Sequence, residues 1–191
     1  RSSNAMKNKL LDEDIDLVQR CLKGDTKAQF TLYHRYATAM LNVAYRILGQ
    51  EEEAKDVLQL SFLKAFRSLD QLKNKRGFGG WLKKIVVNYS INQLKRRGWQ
   101  WTELNEEIIE SYQEKDREEQ LQFHLQSIKR ALLQLPTGYR TVLSLYLIEG
   151  YDHSEIAQIL NVSTSTALSQ YSRGKKKLRQ IILDNRYQKK N

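Results

Sequence analysis

Apolar residues recur at spacings of three and four along most of this 191-residue chain. Such periods predict a succession of helices rather than strands. The first helix runs from Asp12 to Lys23, acidic early and basic late, and stops at Gly24, as the helix dipole favours. Asp25 caps a second, which runs to about Leu48 and ends at Gly49, with Ala28, Leu32, Tyr36, Ala39, Val43 and Ile47 as its buried stripe. A third spans Glu51 to Leu69 and buries Ala54, Leu58, Phe62, Ala65 and Leu69. Trp81 begins a fourth, of about four turns, whose apolar side is Trp81, Leu82, Ile85, Val86 and Tyr89. From Gly98 to Glu118 no period is evident. A further helix covers Glu119 to Gln134 and is broken at Leu135-Pro136. Another follows from Thr137 to Glu149, apolar at Val142, Leu145, Tyr146 and Ile148, and Gly150 ends it.

The stretch Asp152 to Leu178 then reads as two short helices joined by a tight turn. Asp152 and Glu155 have the spacing of a capping box. Ile156, Ala157, Ile159 and Leu160 form an apolar face, and Asn161 falls at the turn, where a left-handed conformation is needed and asparagine tolerates it. Ser163 or Thr164 caps the second helix. At 100° per residue, Ala167, Tyr171, Gly174 and Leu178 form one inward stripe, while Ser165, Ser169, Ser172 and Lys176 fall on the opposite side. Five of the seven residues from Arg173 to Arg179 are basic. The pattern is that of a helix-turn-helix whose second helix enters the major groove of DNA; a solvated helical hairpin is the plainer alternative.

Composition narrows the picture. Pro136 is the single proline and β-branched alternations are few, so the fold class is all-α, and the length suits one domain or two small ones. Residues 1–5, ahead of Met6, read as an expression-tag remnant. No run approaches the ~20 apolar residues of a membrane span, no secretory signal is evident, and the single Cys21 fits a reducing cytoplasm. The net charge of +10 is uneven. Residues 1–97 carry 19 basic and 10 acidic side chains, residues 98–118 carry 2 and 7, and residues 119–191 carry 11 and 5. Two basic modules, 6–97 and 119–191, are thus joined by an acidic linker over 98–118, which suits two contacts with one polyanion.

Two surfaces of the first module invite function. On the third helix the face opposite the core holds Asp56, Leu60, Leu63 and Arg67, with Gln59 at its edge. Leucines among charges mark either an interaction surface or scattered surface apolar residues. From Lys73 to Arg97 there are eight basic residues and no acid. Lys84, Asn88, Asn92 and Lys95 line one side of the fourth helix, and asparagine, a poor helix former, suggests hydrogen bonding to nucleic acid. Phe78, placed in the preceding loop, and Tyr89 are candidates to stack on unpaired bases, or else belong to the core. Glu51, Glu52 and Glu53 read as a solvated first turn rather than a metal site. His34, His124 and His153 lie apart, with no ligand spacing, and no glycine-rich phosphate loop occurs, so no metal, cofactor or catalytic constellation is expected.

At these residues the chain resembles the sigma-70 family of RNA polymerase sigma factors, most of all its small extracytoplasmic-function group, which keeps regions 2 and 4. The segment GDTKAQFTLYHRY with AYRILGQEEEAKDVLQLSFLKAF resembles regions 2.1 to 2.3, FGGWLKKIVVNYSINQLKRR resembles region 2.4, and LLQLPTGYRTVLSLYLIEG with YDHSEIAQILNVSTSTALSQYSRGKKKLR resembles region 4. The resemblance implies a cytoplasmic, non-enzymatic initiation factor. It would bind core RNA polymerase through Asp56, Gln59, Leu60 and Leu63. It would melt the −10 element of promoter DNA with the loop at about Leu72–Gly79 and the fourth helix (Lys73, Lys75, Arg76, Phe78, Lys84, Asn88, Asn92 and Lys95) and hold a flipped base. It would read the −35 element with Thr164, Ser165, Ser169, Ser172, Arg173 and Lys176, and would be restrained by an anti-sigma factor. The linker would run toward the RNA exit path. Leu60 stands where an acid usually follows the glutamine, and Leu168 and Gln170 where many members carry lysine and arginine, which predicts fewer phosphate contacts and a shallower salt dependence. A stand-alone helix-turn-helix regulator is the rival reading. The acid-free basic stretch 73–97 argues against it, because a sensor domain has no use for a second polyanion site.

Overall fold

The computed structural model describes residues 2–101 and 125–188. Among them every regular element is helical, and the chain forms two compact units, Arg1–Arg97 and Gly98–Asn191. Most of the acidic stretch expected as a linker (102–118), the start of the helix expected from Glu119, and His124 lie outside the described residues.

The first unit has four α-helices: α1 (Ser2–Leu22), α2 (Thr26–Leu48), α3 (Glu51–Arg67) and α4 (Phe78–Arg96). Helix α1 begins ten residues earlier than its charge pattern predicts, because the upstream alanine, methionine, lysines and leucine are good helix formers. Asp25 caps α2, its carboxylate accepting from the Lys27 and Ala28 amides at 2.9 and 3.2 Å. Gly49 closes α2 in the left-handed conformation. Helices α2, α3 and α4 pack on one another and α1 lies against α2. Their common core includes Val18, Leu32, Ile47, Phe62, Phe78, Leu82 and Leu94. One position of the α2 stripe differs from expectation: Met40 is buried and Ala39 is exposed. From Leu32 and Tyr36 the four-residue step leads to Met40, and the larger side chain gains more by burial.

Between α3 and α4 the chain makes two single 3-10 turns, Leu69–Gln71 and Lys75–Gly77. The Asn74 side chain accepts from the Arg76 amide at 3.1 Å and fixes the second turn. Helix α4 starts at Phe78, three residues before the predicted start, because Phe78 is drawn into the core.

The second unit holds α5 (Leu125–Leu133), α6 (Thr137–Leu147), α7 (His153–Leu160) and α8 (Thr164–Gln188). Ala131, Leu132, Leu135, Leu143, Leu178 and Ile182 form its core. The capping box at α7 is present in both directions, Glu155 N to Asp152 Oδ1 at 2.8 Å and Asp152 N to Glu155 Oε2 at 2.9 Å. Asn161 ends α7 at φ 57°, in the left-handed region. Ser163, not Thr164, caps α8, its hydroxyl accepting from the Thr166 amide at 3.1 Å. Gly174 lets α8 cross α6 closely: a Cβ there would sit 3.0 Å from Tyr139 Cβ and 3.1 Å from Leu143 Cδ1.

Candidate functional site

Three outward faces carry the chemistry. On α3, Val57, Leu58, Ser61 and Phe62 turn into the core, which leaves Asp56, Gln59, Leu60 and Leu63 on the other side. All four are exposed, Leu60 by 44 % and Leu63 by 52 %. They occupy positions i, i+3, i+4 and i+7, so two apolar side chains and two polar ones share one patch.

On α4, Leu82, Val86, Val87, Ile91 and Leu94 are buried. Lys84, Asn88, Asn92 and Lys95 are all exposed and follow one another at steps of four, four and three. With no acid anywhere on the helix, the strip presents two cations and two amides that donate and accept hydrogen bonds. One basic residue of the stretch is engaged within the unit itself. Arg97 donates from Nε to Glu53 Oε1 at 2.7 Å and from Nη1 to the Leu48 carbonyl at 3.3 Å, so it ties α4 to the end of α2.

The loop before α4 is held from beneath. Lys73 and Arg76 are exposed and Lys75 is half-buried. Phe78, however, is completely buried, with its ring 5.4 Å from that of Tyr36 and 6.3 Å from that of Trp81. A ring with no exposed face cannot stack on a base, so Phe78 is a core anchor and not a nucleic-acid contact. Tyr89 stays half-exposed on α4. Tyr36 in turn donates its hydroxyl to the buried Asp14 carboxylate, which also accepts from Arg35 Nη1 at 2.6 Å, while Arg35 Nη2 reaches Glu13 at 2.9 Å. Burial raises the Tyr36 phenol well above its ordinary range, and the Asp14 charge adds to it. Asp12 pairs with Arg76 on the loop itself. The acidic middle of α1 therefore supports the loop, an arrangement that sequence reasoning missed: nothing local joins residues 64 positions apart.

On α8, Ala167, Gly174 and Leu178 are buried and Tyr171 half-buried, as the wheel requires. Thr164, Ser165 and Lys176 are exposed, and Ser169, Ser172 and Arg173 are half-buried on the outward side. The Ser165 hydroxyl lies 2.8 Å from that of Ser163, which also bonds Thr166, so it is part of the cap as well as of the face. Gln170 is half-buried against α6, where its Oε1 would meet a Cβ on Gly138 at 3.3 Å. The residue at this position thus faces the unit's own interior. Of the two expected departures Leu168 is the more open, 50 % exposed. Tyr146, His153 and Tyr171 make a three-ring cluster, with Tyr146 and His153 stacked at 4.5 Å, where α6, α7 and α8 meet.

Two helical units, one with an acid-free basic strip and one with a helix-turn-helix, define a two-part nucleic-acid-binding protein. Residues 32–100 match the family model for sigma-70 region 2 and residues 125–178 that for sigma-70 region 4. The chain is 27 % identical over 179 residues to the extracytoplasmic-function RNA polymerase sigma factor SigW of Bacillus subtilis, covering 87 % of this chain and 95 % of that one. Among solved structures, CnrH in complex with the cytosolic domain of CnrY is similar at TM-score 0.52 and 26 % identity, over 90 % of this chain and 97 % of that chain. The sigma factor RpoE in complex with the anti-sigma factor NepR from Bartonella quintana shares the fold at TM-score 0.51 and 21 % identity, over 80 % and 94 %. The chain belongs to the sigma-70 family, and its relatives group it with the extracytoplasmic-function members. It is an alternative sigma factor, a transcription initiation factor and not an enzyme.

Proposed function

We propose that the three faces divide the work of initiation. The α3 patch of Asp56, Gln59, Leu60 and Leu63 docks on core RNA polymerase. The loop residues Lys73, Lys75 and Arg76 and the α4 strip of Lys84, Asn88, Asn92 and Lys95 engage the −10 element as it opens. Thr164, Ser165, Ser169, Ser172, Arg173 and Lys176 of α8 face the −35 element in the major groove. The two modules are residues 6–97 and 119–191, with 98–118 between them as an acidic linker. One observation carries the reading most: the strip on α4 is exposed, cationic and amide-bearing over three turns, and it shares a unit with the exposed leucines of α3. Duplex readout alone would need only the second unit. The first adds both a protein-facing patch and a surface suited to single strands.

The chain acts in the cytoplasm, with core polymerase. No helix among the described residues is long and apolar enough to cross a membrane. The complex of the Bartonella quintana relative with an anti-sigma factor supports control of this chain by a similar inhibitor.

The test is the double variant Lys84→Ala with Asn88→Ala. Reconstituted with core polymerase, it is expected to associate normally and to fail in promoter opening, read as reactivity of unpaired thymines to permanganate. Equal loss of association and opening would refute the assignment of the α4 strip.

A further inference from the structure

We infer that Leu168 is a base-reading residue, which selects thymine at one step of the −35 element through the C5-methyl group of that base. The inference rests on the reading of α8 as the −35 helix and assigns what one further residue on it recognises.

The observation is an apolar side chain out of place. Ala167, Leu178 and Ile182 of α8 are buried, but Leu168 is half exposed. It lies one turn after Thr164 and Ser165 and one turn before Ser172, with Lys175 two turns on. Its neighbours in the first two turns of the open surface, Thr164, Ser165 and Ser169, are short hydroxyl side chains, so leucine is the largest group there. The same helix continues into Lys175, Lys176, Lys177 and Arg179. A cationic run of this kind draws a polyanion to α8 and not an apolar protein surface.

The chemistry of the groove then fixes the base. In the major groove adenine, guanine and cytosine present donors and acceptors, whereas thymine also offers a methyl group. Leucine neither donates nor accepts. Against the other bases it would bury polar edges without a partner, which is penalised more heavily than a missed attraction. Against thymine it covers one apolar group with another. A lysine here would bind phosphate without regard to sequence. The exchange of lysine for leucine therefore trades affinity that depends on salt for selectivity at one step.

Holoenzyme reconstituted from the full chain and core RNA polymerase first selects its promoters from genomic fragments. The enriched −35 duplex is then resynthesised with deoxyuridine, which lacks only the methyl, in place of each thymidine in turn. One position is expected at which wild-type binding falls about fourfold, the size of one buried carbon. At that position the Leu168→Ala holoenzyme should bind thymine and uracil duplexes alike, and Leu168→Lys should bind tightly, without preference, and with a steeper salt slope. Wild-type indifference to every uracil would overturn the proposal, as would unchanged discrimination by Leu168→Ala. Weakened association of Leu168→Ala with core polymerase, with thymine preference kept, would assign the leucine to a protein contact instead. A parallel Ser169→Ala, Arg173→Ala variant checks the premise: if it leaves −35 binding intact, α8 is not the reader and both readings fail together.

Discussion

Gly79→Ala adds one methyl group where α4 begins beneath the ring of Tyr36. A Cβ there would lie 2.6 Å from Tyr36 Cε1 and 3.1 Å from both Cζ and the hydroxyl oxygen, inside the distance at which carbon atoms attract. The ring has to move, and it is held: its hydroxyl donates to the buried Asp14 carboxylate and its edge meets Phe78. Two effects oppose each other. Alanine is favoured over glycine by up to about 1 kcal/mol inside a helix, and by less in the first turn. Loss of a hydrogen bond to a buried charge costs about 1.5–3 kcal/mol, at the lower end here because Arg35 still serves Asp14. The second effect wins by roughly 0.5–1.5 kcal/mol, which in a unit of this size lowers the melting temperature by about 3–10 °C. Thermal unfolding by circular dichroism of the wild type, Gly79→Ala, Tyr36→Phe and the double variant measures it. Phenylalanine has no hydrogen bond to lose, so the alanine should cost clearly less in the Tyr36→Phe background. A neutral or stabilising Gly79→Ala, or the same cost in both backgrounds, would refute the reasoning.

Other consequences are simpler. Asn161→Val, at φ 57°, should destabilise the second unit by about 1–2 kcal/mol in chemical denaturation, whereas Asn161→Gly should be near neutral. Burial pushes the Cys21 thiol up to about 11 from 9.0, so at pH 8 its alkylation should run roughly a hundredfold slower in the folded protein than in denaturant. The Arg20 side chain, together with the Ala28 and Lys27 amides, holds the Asp25 carboxylate below its ordinary value of 3.8. A lowered carboxylate stabilises the fold in full above that value and loses its contribution as pH falls through the lowered native one. Stability measured against pH should therefore fall less steeply below pH 3.8 in Asp25→Asn than in the wild type.

The outward faces of α3, α4 and α8 were legible in the chain because they follow from local rules. The capping box of Asp152 and Glu155, the turn at Asn161 and the inward stripe from Ala167 to Leu178 depend only on residues a few positions apart, where spacing settles geometry. The same holds for Leu60 and Leu63, which the period of α3 turns away from its core. Their chemical class could be read as soon as the faces were drawn.

What the tertiary structure decided were contacts between distant residues. Phe78 looked like a loop residue beside lysines, and burial against Tyr36 and Trp81 made it the floor of that loop. The pairing of Asp12 with Arg76 and of Asp14 with Tyr36, and the use of Arg97 to hold Glu53 and the Leu48 carbonyl, connect helices across 22 to 64 residues. Gln170 turned inward for a like reason, since α6 lies over its side of the helix. Helical periodicity specifies which way a side chain leaves its own helix; what it meets there is set by how the helices pack. That is why the outward faces belonged to the sequence and their supports only to the fold.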